Sequence, residues 1–178
     1  RALFHAIGIV VAAKVSAEHP VVISKFLRDA KEVEVDGVAD GEDILIGSII
    51  EHIEKAGVHS GDAIMCIPPL TLQPMTLEVI ENYTHRIAKA LKIKGPFNIQ
   101  YLIRNGTVYV MECNLRASRS IPYVSKTRGV NLIDVATSVM LGSRLRDLGV
   151  AQLPPVMHFS VKAPQFSFMR LSGADPIL

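Results

Sequence analysis

Several residue types are scarce in this 178-residue chain, and the scarcity of cysteine is the most informative. Cys66 and Cys113 are the only two, and they form neither a Cys-x-x-Cys pair nor a framework of several bridges. This excludes a disulfide-stapled scaffold and a cysteine zinc site. Both lie in apolar stretches, so we expect reduced, buried thiols and a reducing compartment. The expected location is the cytoplasm, and a mitochondrial location stays open.

The chain also lacks a large excess of either positive or negative charge. The formal net charge is only +2, and no run of lysine and arginine occurs. We therefore expect neither nucleic acid nor an anionic membrane surface as a partner. No apolar segment reaches membrane-spanning length, and Arg1 to Val15 lacks the small-residue cleavage pattern of a signal peptide. With 49% hydrophobic and 20% charged residues, the chain has the composition of one soluble domain.

The most informative stretch that is present runs from Val110 to Arg119. On an extended strand alternate side chains share a face, so Glu112 and Asn114 point the same way and can offer hard oxygen atoms to one divalent cation. Arg116 and Arg119 follow where the strand ends, and guanidinium groups grip anionic oxygens in a fixed geometry. This composition suits a metal-bound polyphosphate. The alternative is that Glu112 only pairs with one of these arginines on a solvated edge.

The preceding residues predict a hairpin whose register decides this chemistry. Strands are predicted at Phe97 to Arg104 and Thr107 to Asn114, joined at Asn105-Gly106. A strict two-residue turn places Gln100 and Glu112 on opposite faces. A three-residue Arg104-Asn105-Gly106 loop places them on one face with Asn98 and Asn114, and puts Tyr109, Met111 and Cys113 on the apolar face. We favour the three-residue loop and predict a Mg²⁺ or Mn²⁺ site at Gln100, Glu112 and Asn114.

The rest of the chain predicts a mainly antiparallel sheet with packed helices, of the α+β class. Helical spacing of apolar residues predicts a helix from Thr76 to Lys92, with Leu77, Ile80, Ile87, Ala88 and Leu91 facing inward. A second helix is predicted from Asn131, its cap, to Leu141. The predicted strands outside the hairpin are Val21 to Leu27, Val33 to Val38, Ile44 to Ile53 and Val156 to Val161.

The sequence from Glu112 to Ser120, followed by Pro122 to Lys126, resembles the large subunit of carbamoyl-phosphate synthetase. Three further groups of residues stand in that family's order and spacing. They are Ser24 to Leu27 with Glu32 to Asp36, Glu51 to Glu54 running into Gly57 to Asp62, and Gly95 to Gln100. The resemblance extends from about Val21 to the C-terminus, and it is closer to the second, carbamate-phosphorylating half of the synthetase.

This resemblance implies a partial ATP-grasp fold that phosphorylates carbamate with ATP. It implies three segments: a poorly matched N-terminal remnant (1–20), an ATP-grasp core (21–142) and a C-terminal extension of the same half (143–178). The implied ligands are ATP, carbamate and Mg²⁺ or Mn²⁺. The implied partners are a glutaminase small subunit or domain and the other synthetase half. Because the family places a glycine-rich loop upstream of Lys25, where residues 1–20 contain only Gly8, we expect this chain to turn over poorly.

The resemblance also assigns roles to individual residues. Lys25, Leu27 and Glu32 would receive the nucleoside, with Glu32 accepting from the ribose hydroxyls. The turn of Gly57, Val58, His59 and Ser60 would contact the nucleotide. Arg116 and Arg119 would be the catalytic residues, stabilising charge on the transferred group. Without the resemblance, Glu32 and Glu34 are better explained as exposed strand residues paired with Lys31, and the glycine-bracketed turn as an ordinary tight turn.

Two rival functions stay open at this point. One is another ATP-grasp ligase, such as a biotin carboxylase or a carboxylate-amine ligase. Substrate assays would distinguish such a ligase from a carbamoyl-phosphate synthetase. The other is a nucleotide-binding or interaction module without turnover. Binding of ADP without any phosphoryl transfer would favour this second function.

Overall fold

The computed structural model describes residues 25–150 and 153–165, and these residues form one six-stranded antiparallel sheet flanked by helices. The predictions for residues 1–24 and 166–178 lie outside the described residues. The strands are β1 (Lys31–Asp40), β2 (Ile44–Lys55), β3 (Met65–Ile67), β4 (Lys94–Arg104), β5 (Thr107–Asn114) and β6 (Ser160–Lys162), in the order β5-β4-β1-β2-β3-β6. The helices are α1 (Pro74–Ala90), α2 (Ile121–Arg128) and α3 (Leu132–Met140), followed by a 3₁₀ turn (Leu145–Leu148). None of the described helices is long and apolar enough to cross a membrane.

The sheet has an apolar cluster on each face. On one face α1 packs over β1 and β4, and its buried Ile80 belongs to the same cluster as Val35 and Ile99. On the other face α2 and α3 pack over Val38 and Ile50. Because both faces are covered over much of their area, β1 is buried almost throughout, although four of its ten residues are acidic: Glu32, Glu34, Asp36 and Asp40.

Close packing of α3 on β2 depends on a glycine. A Cβ atom added to Gly47 would lie 2.7 Å from Leu132 Cδ1 and 2.9 Å from the Asp36 carbonyl oxygen. These distances are shorter than Cβ contacts in folded proteins, so any larger residue would force the Leu132 side chain to move and the β1 backbone at Asp36 to shift.

The longer predicted elements are confirmed. The structure has the predicted antiparallel hairpin, the strands through Val33 to Val38 and Ile44 to Ile53, and both predicted helices to within two residues at each end. Asn131 caps α3 as predicted, because its Oδ1 accepts hydrogen bonds from the amides of Ile133 (3.1 Å) and Asp134 (3.4 Å).

Three smaller predictions are wrong, and one helix was missed. Residues Lys25 to Leu27 are not in a strand, and the last strand occupies only Ser160–Lys162. Leu91 does not face inward but is 53% exposed, because α1 ends there and Lys92 takes a positive φ of 49° that turns the chain away. Helix α2 was not predicted, since its eight residues carry Pro122 and only a weak helical alternation of apolar residues.

Candidate functional site

The sheet face that α2 and α3 cover changes from apolar to polar along β1. Side chains at alternate positions of β1 share this face, from Val38 under the helices to Glu34 and Glu32 beyond them. There the sheet forms the floor of a cleft of about 690 Å³. The cleft is lined by Glu32, Glu34, Gly57, Val58, His59, Ser60, Asn98, Gln100, Met111, Glu112, Arg116, Ser118 and Arg119.

The β4–β5 hairpin reaches its register in a way that the sequence analysis did not predict. Asn105 and Gly106 form a two-residue turn, with φ of 51° and 77°, and Arg104 pairs directly with Thr107. The predicted three-residue loop is therefore wrong. An Asn-Gly pair accepts two successive positive φ angles, and such a turn matches the twist of the two strands.

A β-bulge at Met111 then shifts the register by one residue. Tyr101 pairs with Val110, whereas the next residue toward the cleft, Gln100, pairs with Glu112, so Met111 is the extra residue. The shift places Gln100 beside Glu112 on the cleft face. The two residues therefore share a face as predicted, but because of the bulge and not because of a three-residue loop.

The bulge also changes which β5 residues face the apolar cluster. Val108, paired with Ile103, is buried there, whereas Tyr109 and Met111 are 42% and 46% exposed. The prediction that Tyr109 and Met111 face inward is wrong. The prediction for Cys113 holds better, because this residue is half-buried and packs against that cluster.

The three residues predicted to bind a metal lie together at this end of the hairpin. Asn114 Nδ2 donates to Glu112 Oε1 (2.8 Å), and Gln100 Nε2 donates to Glu34 Oε1 (3.4 Å). Because each amide nitrogen faces a carboxylate, the two amide oxygens are left for another partner. Two amide oxygens and a carboxylate form a hard oxygen set that fits Mg²⁺ or Mn²⁺. Metal binding by these residues stays a prediction.

A buried network that the sequence analysis missed supports this set from below. Asp36 is 0% exposed and accepts hydrogen bonds from Ser120 Oγ (2.6 Å) and Asn98 Nδ2 (2.9 Å). Asn98 pairs with Asn114 across the hairpin, and its Oδ1 accepts from Asn114 Nδ2 (3.5 Å). Burial raises the pKa of the Asp36 carboxyl, and the hydrogen bonds it accepts oppose that rise. Asp36 thus links the hairpin to the segment that leads into α2.

Two further acids and a histidine lie on the cleft floor. His52 Nε2 is 3.1 Å from Glu34 Oε1, and each residue is only 1% exposed. Burial raises the pKa of Glu34, but hydrogen bonds from His52 and Asn98 outweigh burial and hold this pKa below its usual range. Burial raises the pKa of Glu32, where repulsion from Glu34 adds to the rise and attraction to His52 opposes it.

This group has the geometry of a possible ion site. One ligand atom from each of Glu32, Glu34 and His52 lies within 4.8 Å of the others. The explanation of Glu32 and Glu34 as exposed residues paired with Lys31 is wrong, since both are buried and Lys31 Nζ lies 2.6 Å from Glu51 Oε1.

The glycine-bracketed turn forms one wall of the cleft. Its first residue, Gly57, has a φ of 119°, which favours glycine strongly. The turn then folds around His59, whose carbonyl oxygen accepts from the amides of Asp62 (2.8 Å) and Ala63 (3.1 Å) and whose Nδ1 accepts from the Gly61 amide (3.1 Å). All four predicted residues, Gly57 to Ser60, line the cleft.

The two predicted catalytic arginines lie on the connection between β5 and α2. Arg116 and Arg119 both line the cleft, and Arg116 Nη1 donates to the Ala117 carbonyl oxygen (3.1 Å). The connection is braced by Ser118 Oγ, which accepts from the Ile121 amide (3.0 Å). Within residues 25–150 and 153–165, Glu112 forms no ion pair with either arginine. The alternative of a simple surface ion pair is therefore not what the structure contains.

Two predicted residues are not brought to the cleft. Lys25 is exposed, Leu27 is half-buried, and neither belongs to the cleft lining. Their assignment to the adenine and nucleoside stays a prediction.

The missed residues Glu34 and Asp36 carried a signal in the sequence. Together with the predicted Glu32 they alternate with valines on β1, as Asn98 and the predicted Gln100 alternate with apolar residues on β4. Equal alternation on neighbouring strands places polar groups of both on one face. Once the strand order is known, this pattern groups the polar side chains of β1 and β4, but the alternation alone does not distinguish a buried polar floor from a solvated face.

The cleft on an antiparallel sheet, with an oxygen-bearing hairpin and arginines at its rim, defines an ATP-grasp domain. The fold is shared with a solved biotin carboxylase domain of a single-chain bacterial carboxylase, with a TM-score of 0.70 over 78% of this chain and 33% of that chain. At 17% identity this likeness shows the fold alone.

Sequence comparison gives the family. The family described as "Carbamoyl-phosphate synthase L chain, ATP binding domain" matches residues 5–148, and the chain belongs to it. The carbamoyl phosphate synthase large chain of Archaeoglobus fulgidus is 49% identical over 167 residues, covering 94% of this chain and 16% of that protein. The C-terminal section of the large chain of Methanocaldococcus jannaschii is 49% identical over 177 residues, covering 94% and 29%. The chain thus spans less than a third of either relative.

Proposed function

We propose that the cleft binds ATP with Mg²⁺ or Mn²⁺ and serves a carbamoyl-phosphate synthetase as the site where carbamate is phosphorylated. The observation that supports this most directly is the pairing of Gln100 with Glu112 beside Asn114, in the same cleft as Arg116 and Arg119. Oxygen ligands for a cation and guanidinium groups for anionic oxygens are the two requirements of phosphoryl transfer from a nucleotide.

Each part of the cleft has a role in this proposal. Gln100, Glu112 and Asn114 would hold the cation, which supplies neutralisation of the phosphate oxygens. Glu32 would accept hydrogen bonds from the ribose, and the amides and side chains of residues 57–60 would contact the nucleotide. Arg116 and Arg119 would donate hydrogen bonds to the transferred phosphoryl group and to the carbamate.

The reaction itself requires little from the protein beyond positioning. A carbamate oxygen attacks the γ-phosphorus, the bond from that phosphorus to the bridging oxygen of ADP breaks, and carbamoyl phosphate and ADP form. No side chain needs to act as a nucleophile, because the carbamate oxygen is already anionic. The rate then depends on how firmly the cleft aligns the reacting groups and neutralises their charge.

The proposal includes partners and a location. Since the relatives are three or more times longer than this chain, we propose that the domain works within a large chain beside the other synthetase half and with a glutaminase that supplies ammonia. The product would serve arginine or pyrimidine synthesis, and the proposed location is the cytoplasm.

The metal assignment is tested by calorimetric titration of ATP into the chain with Mg²⁺ and with a chelator. The unaltered chain should bind ATP more tightly with Mg²⁺, whereas Glu112→Ala should bind with an affinity that hardly depends on the metal. Glu78→Ala, an exposed substitution on α1, is the matched control and should behave as the unaltered chain. Unchanged metal dependence in Glu112→Ala would show that the ligands are elsewhere.

A further inference from the structure

We infer that Lys162 is a positioning residue for the nucleotide wall of the cleft, which is here defined as residues 57–63. This inference rests on the proposed function. Lys162 lies on the edge strand β6, outside the cleft lining, and it acts through the backbone of this wall rather than by touching the nucleotide.

The lysine is held in place by the sheet. β6 pairs with β3, and Lys162 is opposite Met65, two residues after the wall ends. Its Nζ lies 3.1 Å from the Ser60 carbonyl oxygen, 3.2 Å from that of Gly61 and 3.3 Å from that of Ala63. An ammonium group has three N–H donors, and these three carbonyls match that number.

Several contacts hold the wall. Its internal hydrogen bonds converge on His59, Val58 forms a bridge with Ala56, and the carbonyl oxygens of residues 60, 61 and 63 accept from Lys162. Hydrogen bonds from a charged donor are about twice as strong as neutral ones. Lys162 therefore fixes one side of a short loop whose other side, at His59 and Ser60, lines the cleft.

The same loop touches a proposed catalytic arginine. A Cβ atom added to Gly61 would lie 2.6 Å from Arg119 Nη1, so the guanidinium packs directly on the bare backbone there. Displacement of the wall would consequently disturb the position of Arg119 as well as the nucleotide contacts. One lysine on β6 thus couples two sides of the cleft.

The surroundings of Lys162 suit a fixed cation. Burial lowers the pKa of its ammonium group, and attraction to Glu34, Asp62 and Glu54 opposes that change, whereas Arg119 adds to it. Three carbonyl oxygens therefore accept hydrogen bonds from this ammonium group, and three nearby carboxylates attract its charge. An uncharged substitute of similar length would leave the carbonyls without their donor.

The test compares Lys162→Met with Lys162→Arg by calorimetric titration of Mg²⁺-ATP. Methionine keeps the apolar stem but has no donor, so the wall must become ordered on binding, and we expect the affinity to fall at least about tenfold. Arginine keeps the positive charge and donors but presents them as a planar fork, so it should lose less affinity than methionine without matching the unaltered chain. Lys89→Met, an exposed substitution near the end of α1, is the control for loss of one positive charge.

Two readouts separate positioning from a general loss of stability. Thermal unfolding of Lys162→Met should stay close to that of the unaltered chain, and added methylammonium should restore part of the nucleotide affinity of Lys162→Ala. Hydrogen exchange of the amides of residues 57–63, measured without nucleotide, should be faster in Lys162→Met. If that variant does not fold, Lys162→Leu, which also has no donor, takes its place.

The outcomes distinguish this inference from the proposed function. Unchanged ATP affinity in a folded Lys162→Met or Lys162→Leu variant would overturn the role of Lys162 while leaving the proposed function standing. Failure of the unaltered chain to bind Mg²⁺-ATP would overturn the proposed function. In that case unchanged hydrogen exchange in the wall would overturn the positioning role too, and faster exchange would support it.

Discussion

Replacing Glu51 by alanine should destabilise the domain more than any exposed substitution, because this carboxylate is fully buried and completely engaged. It is 0% exposed, pairs with Lys31 Nζ at 2.6 Å, and accepts hydrogen bonds from the amides of Leu70 (2.6 Å) and Thr71 (2.9 Å). Thr71 Oγ1 also donates to it. The side chain therefore ties β1 and β2 to the connection between β3 and α1.

The expected loss of stability follows from the groups that Glu51→Ala leaves without a partner, above all the Lys31 ammonium group. Removing one member of a buried charge pair typically costs about 3–5 kcal/mol. For a domain of this size, about 1 kcal/mol corresponds to roughly 2–4 °C, so the melting temperature should fall by roughly 6–20 °C. Water can reach the Lys31 side chain, which is 29% exposed, as well as the exposed Leu70 and Thr71, so the lower half of this range is expected.

The assay is urea and thermal unfolding of Glu51→Ala and Glu51→Gln beside Glu78→Ala. Burial raises the pKa of Glu51, but the hydrogen bonds from Lys31 and Thr71 outweigh it, so the folded pKa lies below the ordinary value of 4.5. The stabilisation by the charge is therefore present above pH 4.5 and is lost as the pH falls through the lowered pKa. The stability difference between the unaltered chain and Glu51→Gln should shrink over that window. A loss below about 1 kcal/mol in Glu51→Ala would refute the reasoning.

Two further predictions concern buried groups near the cleft and under α1. Asp36→Asn should fold with near-normal stability, since its amide oxygen can still accept from Asn98 and its amide nitrogen can donate to the Ser120 hydroxyl. Asp36→Ala should lose about 2–4 kcal/mol by leaving Ser120 and Asn98 without their acceptor; equal urea midpoints for the two variants would contradict this. Burial raises the pKa of Tyr101 to about 12, opposed by its hydrogen bond with Thr84, so its contribution to stability is complete below pH 10 and is lost as the pH rises to 12. Tyr101→Phe should lose up to ~2.7 kcal/mol less stability than the unaltered chain between pH 10 and pH 12, as measured by urea titrations. An identical pH dependence of stability in the two proteins would contradict this prediction.

The sequence was sufficient for the long elements because local signals agreed there. Apolar spacing gave α1, Asn131 gave the start of α3, and Asn105-Gly106 gave the turn of the hairpin. The bulge at Met111 could not be predicted, since no residue preference marks it and its position is set by packing of Val108 on one face and Gln100 on the other. Leu91 was misplaced because helical periodicity does not say where the chain leaves the helix.

The candidate site was predictable only in part, for a physical reason. Glu112, Asn114 and the two arginines are close in sequence, so strand geometry alone groups them. Glu34, Asp36 and Asn98 join them through the β1–β4 pairing, which unites residues more than sixty positions apart. Lys162 is farther still from the wall that it contacts. Such groupings depend on strand order, which the alternation of residue types does not encode.

The bulge at Met111 has a consequence for the solubility of the domain. In the described sheet β5 is an edge strand, and it exposes Tyr109, Val110 and Met111 in succession. A straight apolar edge of this kind can recruit a strand from another molecule and begin aggregation. An extra residue in the middle of the strand breaks the regular spacing of its outward amides and carbonyls, so a second strand cannot pair along its whole length. The irregularity that brings Glu112 beside Gln100 therefore also makes this edge a poor template for intermolecular sheets.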